Sequence, residues 1–126
     1  MLFIVASQNL KNKIEAIIPN CVTPPDCTTG QETITLIRTT KDDADEEDFI
    51  IRDSNGYVRF RQPVLSNNQQ YTWSVTLCKG VYTILMTDSY SDSWSSGSNV
   101  VIKKGSTTIG TFRCSNSHST TSTFTV

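Results

Sequence analysis

The sequence predicts an all-β chain, an antiparallel β-sandwich or jelly roll with one short N-terminal helix. Three observations carry this. Apolar and polar residues alternate with period two, most plainly where Tyr71, Trp73, Val75 and Leu77 interleave with Thr72, Ser74, Thr76 and Cys78, the pattern of a half-buried strand. Turn signals recur at intervals of roughly 8–12 residues, the rhythm of all-β folds rather than of alternating β and α units. Helical spacing of apolar residues occurs in one short stretch near the start.

Taken in order, residues 1–6 form an apolar arm in which Leu2, Phe3, Ile4 and Val5 are rich in β-formers. Two readings of it stand: a clipped or short signal peptide with Ala6 and Ser7 as its cleavage end, or a strand-forming arm of the mature chain. Residues 8–19 place Leu10, Ile14, Ile17 and Ile18 at helical spacing and stop before Pro19–Asn20, so a helix of two to three turns is expected there. A loop marked by cysteine and proline follows, up to Gly30. Strands are then expected at residues 33–39, 49–52, 57–60, 71–78, 81–87, 99–103, 108–114 and 121–126. In the first, Ile34 and Leu36 fall on one face, and Arg38 shares it. Asp53-Ser54-Asn55-Gly56 ends in the Asn-Gly pair of a tight hairpin. The predicted organisation is an arm and helix over 1–20 and one β-sandwich domain over 21–126.

Composition excludes several function classes. A net charge of −1 over 126 residues offers no basic field for a nucleic acid. No apolar run reaches the roughly 18 residues of a membrane span, so no transmembrane segment is expected. Ser and Thr outnumber all charged residues together. The four cysteines, Cys21, Cys27, Cys78 and Cys114, suit an oxidising compartment and two disulfides. Cys21–Cys27 would close a small proline-bearing loop, and Cys78–Cys114 would staple distant regions, worth about 3–4 kcal/mol on a chain-entropy argument. Free thiols and a zinc site are the alternatives; the latter lacks any Cys-x-x-Cys spacing and has His118 as its one histidine.

The segment 77–102, LCKGVYTILMTDSYSDSWSSGSNVVI, is the most informative. Leu77, Gly80, Tyr82, Ile84, Met86, Asp88, Ser89, Tyr90, Asp92, Trp94 and Gly97 match a pattern built around Asp-Ser-Tyr-Gly-Asp-Gly-Trp. In these residues the chain resembles a module of secreted and cell-surface proteins of protists, algae and some bacteria. The resemblance covers about a third of the chain and implies an extracellular β-sandwich without catalysis of its own. Ser91 and Ser93 stand where that pattern has glycine. If those positions need positive φ, each serine costs of order 1 kcal/mol.

Asp88 and Asp92 lie four apart in a hydroxyl-rich loop. Acids at alternating loop positions, with backbone carbonyls, are how Ca²⁺ gathers its oxygens; the alternative is that Asp88 and Ser89 form Asx-type turns that shape the loop. Asp42, Asp43, Asp45, Glu46, Glu47 and Asp48 form a dense acid run. Its ordinary reading is a solvated loop, the alternative a cation patch in which residues 42, 43, 45 and 47 meet Asp88 or Asp92. Tyr90 and Trp94 are the ligand-contact candidates, whereas Trp73 alternates with core positions. A lone histidine and the lack of a Gly-x-Ser-x-Gly elbow give no catalytic set. The expectation is a non-enzymatic extracellular or cell-surface module that needs no cofactor. It would act on other protein chains, copies of itself included, by strand addition from Leu2, Phe3, Ile4 and Val5. The alternative is a carbohydrate-binding module that uses calcium.

Overall fold

The computed structural model describes residues 27–126. The expected arm over 1–6, the helix over 8–19 and Cys21 lie outside the described residues. The elements are strands β1 (Gln31–Thr39), β2 (Glu47–Asp53), β3 (Val58–Arg61), β4 (Gln70–Cys78), β5 (Val81–Asp88), β6 (Asn99–Lys104), β7 (Thr107–Phe112) and β8 (Ser119–Thr125), with a 3₁₀ turn, Ala44–Glu46, before β2. They pair antiparallel in two four-stranded sheets, ordered β4-β1-β6-β7 and β3-β2-β5-β8. Among the described residues no helix is long and apolar enough to cross a membrane.

The alternation read from the sequence decides what each strand turns inward. Ile34 and Leu36 of β1, Phe49 and Ile51 of β2, Ile84 and Met86 of β5, and Val100 and Ile102 of β6 are all buried in one cluster fed by both sheets. Ring contacts cross between the sheets, Phe49 of β2 meeting Trp73 of β4 at 6.3 Å between centroids and two more lying nearer the sides. Phe60 of β3 meets Trp73 of β4 at 5.1 Å between centroids, and Phe112, at the end of β7, meets Phe124 of β8 at 6.1 Å. Burial of this kind is worth roughly 25 cal/mol per Å² of apolar surface.

The same alternation carries charge inward at one end. Arg38 continues the Ile34–Leu36 face of β1, Glu47 precedes Phe49 and Ile51, and Asp88 follows Ile84 and Met86; all three are buried. Register brings them to one place, since Glu47 faces Asp88 across β2 and β5, and β1 ends at Thr39 beside Asn99 of β6. The connections 40–46, 89–98 and 113–118 converge there.

The expected disulfides need correction. Cys27 is joined to Cys78, with a Cα–Cα distance of 5.3 Å, so neither Cys21–Cys27 nor Cys78–Cys114 forms. Cys114 is a free thiol, fully buried in the core, whose Sγ donates to the Asn116 carbonyl at 3.2 Å. Geometry explains this. Cys78 pairs with Gln31 at the start of β1, whereas Cys114 follows Phe112, which pairs with Val100 opposite Arg38 near β1's end. Those ends are about 20 Å apart along the strand, and a bridge tolerates no more than about 7 Å between Cα atoms. Cys27 reaches Cys78 because a turn closed by Gly30 N–H donating to the Cys27 carbonyl, at 3.3 Å, folds the chain back before β1.

Candidate functional site

The site is the end of the two sheets where the acid run and the DSYSDSW loop meet. Its floor is a buried polar network. The Arg38 guanidinium donates to Glu47 Oε1 at 2.8 Å, to Gln62 Oε1 at 2.9 Å, to the Thr39 carbonyl at 2.6 Å and to Ser98 Oγ at 2.7 Å. Its planar face lies over the Trp94 ring, 4.0 Å from the centroid. Glu47 also accepts from Ser98 Oγ at 2.5 Å and, through Oε2, from the Ser95 backbone N–H at 2.7 Å. Burial pulls the Arg38 pKa below the usual arginine range, and the hydrogen bond and charge of Glu47 oppose that. A fully buried ion pair persists only when its remaining donors and acceptors are satisfied, and here nearly every one is engaged.

This network corrects two expectations. Trp94 is not a ligand contact: it is 1% exposed, and its indole N–H donates to the Thr87 carbonyl at 2.9 Å. Glu47 cannot be satisfied from β2 alone, so the loop turns inward to supply Ser95 and Ser98, and Trp94 is drawn under it. The acid run is only partly a solvated loop. Asp42, Asp43 and Asp45 are exposed, but Ala44 and Glu47 are buried. Tyr90, by contrast, is 71% exposed.

The loop backbone adopts the conformation that glycine would favour. Ser91 and Ser93 both sit at φ 64°, in the left-handed region that serine rarely occupies. Asp88 Oδ1 accepts from the Tyr90 N–H at 2.9 Å, the Asx turn expected of it. Ser91 Oγ is 2.7 Å from His118 Nδ1, and Ser93 Oγ donates to the Asp92 carbonyl. The Ser89 N–H donates to the Glu46 carbonyl at 3.0 Å, tying the loop to the end of the acid run.

Here the chain folds back so that Glu46, Asp88 and Asp92 present carboxylate oxygens all within 4.8 Å of one another. Burial raises the pKa of Glu46 above the usual carboxylate range, and the charges of Asp43, Asp92, Asp88 and Asp45 act in the same direction. Two of the three were sequence candidates. Residues 42, 43, 45 and 47 do not join them: Asp42 accepts from Asn68 at 3.2 Å, and Glu47 belongs to Arg38. Glu46 was recognisable only as one acid in a run, because its place depends on the pairing of β2 with β5. Arg38 and Ser98 escaped as site residues too, although the position of Arg38 on an apolar face was a legible signal. Comparison with protein-family models, curated proteins and solved structures finds no match to this chain.

Proposed function

We propose that the chain is a β-sandwich module of extracellular or cell-surface proteins that acts, without catalysis, through contacts with other protein chains. The two sheets on one core, the Cys27–Cys78 bridge and the DSYSDSW resemblance support this reading. The observation that carries it is the side where β3 and β4 run as sheet edges among the described residues. Phe60, Tyr71, Trp73 and Val75 line that side half-buried, with Tyr71 stacked on Trp73 at 5.9 Å. An edge strand backed by apolar rings is a template for strand addition, in which main-chain hydrogen bonds bind and side-chain pockets select. The donor in this reading is the apolar stretch Leu2–Val5 of a neighbouring copy, and a head-to-tail contact of that kind extends into a filament.

Light scattering on the full chain tests this. Assemblies should shrink to a single chain on deletion of residues 1–7 and in Val75→Lys, which points a charge inward from the edge, with circular dichroism confirming the fold. A wild-type chain that is monomeric at high concentration, or assemblies unchanged by both variants, would overturn the reading. The exposed Tyr90 ring beside the acid cluster favours a second one, a calcium-dependent carbohydrate-binding module. Glycan-array binding that needs calcium and is lost in Tyr90→Ala would establish that instead.

A further inference from the structure

The carboxylates at the loop end are arranged as an unfinished coordination shell. Asp88 is 4% exposed, its Oδ1 is occupied by the Tyr90 N–H, and its Oδ2 is buried with no hydrogen-bond partner. Glu46 Oε2 is likewise buried and without a partner. None of the ion pairs among the described residues uses Glu46, Asp88 or Asp92. Two orphaned acidic oxygens beside a third carboxylate are a costly arrangement for a protein alone, because a buried oxygen without a donor loses its hydration and gains nothing. It becomes a favourable one around a cation.

We infer that Glu46, Asp88 and Asp92 form a binding site for one divalent cation, Ca²⁺, which pins the DSYSDSW loop to the sheet end. The donors are all carboxylate oxygens, which selects a hard ion over zinc or copper. Three carboxylates with oxygens within 4.8 Å of one another can converge on one ion, and a site half made by a loop suits the flexible coordination of Ca²⁺ better than the near-ideal octahedron that Mg²⁺ demands. The sheet supplies the anchored half of the site, since Asp88 ends β5 paired with Glu47 of β2, and Glu46 closes the 3₁₀ turn directly before Glu47, its carbonyl accepting from the Ser89 N–H at 3.0 Å. The loop supplies the other half, because the left-handed Ser91 and Ser93 flank Asp92 and turn it back. Backbone carbonyls and water complete the six to eight oxygens that Ca²⁺ takes. This site stands independently of the strand-addition reading.

Calorimetric titration of the full chain, stripped with chelator, tests the inference with CaCl₂ and MgCl₂ as probes. The expected result is saturable one-to-one uptake of Ca²⁺, weaker uptake of Mg²⁺, and a melting temperature that climbs with calcium saturation. Asp92→Asn and Glu46→Gln should each weaken calcium at least about tenfold, while Asp45→Asn, an exposed acid of the same run, should not. These variants avoid Asp88, whose Oδ1 shapes the turn. No saturable uptake below about 10 mM calcium, or equal weakening by Asp45→Asn, would overturn the site in favour of diffuse counter-ion attraction.

Discussion

Replacing Glu47 by alanine tests whether the Arg38–Glu47 pair joins the two sheets. Both side chains are fully buried, and Arg38 belongs to β1 in one sheet while Glu47 opens β2 in the other. Glu47→Ala leaves a buried guanidinium without its counter-charge and removes the acceptor for the Ser95 N–H and the Ser98 hydroxyl. Breaking a buried pair from one side costs about 3–5 kcal/mol, a large part of the roughly 5–15 kcal/mol that holds a domain folded. At about 4 °C per kcal/mol for a chain of this size, the melting temperature should fall by about 12–20 °C. The double variant Arg38→Met with Glu47→Leu removes both charges, so it should lose less than Glu47→Ala alone. Urea unfolding, read at constant m-value, gives the coupling energy from Arg38→Met, Glu47→Leu and the double that combines them. Strictly additive losses, or a Glu47→Ala cost under about 1 kcal/mol, would mean that the pair behaves as a solvated surface bridge and that the inter-sheet argument is wrong.

Three further outcomes are expected. At Ser91 and at Ser93, glycine should be more stable than alanine by about 1 kcal/mol in urea unfolding, because both replacements remove the hydroxyl and only glycine relieves φ 64°; matched stabilities would contradict the left-handed turn. Burial raises the Tyr82 phenol above its usual range, and its hydroxyl donates to the Cys78 carbonyl at 2.6 Å. The raised folded-state pKa means stability that is fully present below the free-tyrosine value and is lost as pH climbs through the folded one. Unfolding free energy should therefore drop above about pH 10 in the wild type and less so in Tyr82→Phe. Cys78→Ala should cost about 4 kcal/mol, the loop-closure value for cysteines separated by 51 positions, whereas Cys114→Ala should leave non-reducing peptide maps of the Cys27–Cys78 bridge unchanged.

Strand content, strand order along the chain and the inward faces were legible from residue types alone. Alternation has a period of two, so Ile34, Leu36, Tyr82, Ile84 and Met86 announce one buried face wherever the partner strand lies. Asn55-Gly56 announced its hairpin between β2 and β3. These are local properties, set by neighbours in sequence. The tertiary structure decided everything that depends on register and on which ends of the strands coincide. It put Cys78 beside Cys27 and a strand's length away from Cys114. It drew Trp94 beneath the loop, where the Ser95 N–H and the Ser98 hydroxyl join Arg38 as donors to the buried Glu47. It also chose Glu46, among six acids in one run, to face Asp88 and Asp92. Charge counts are additive along a chain, but convergence of charges is a matter of pairing two strands more than thirty residues apart, and no local pattern encodes that distance.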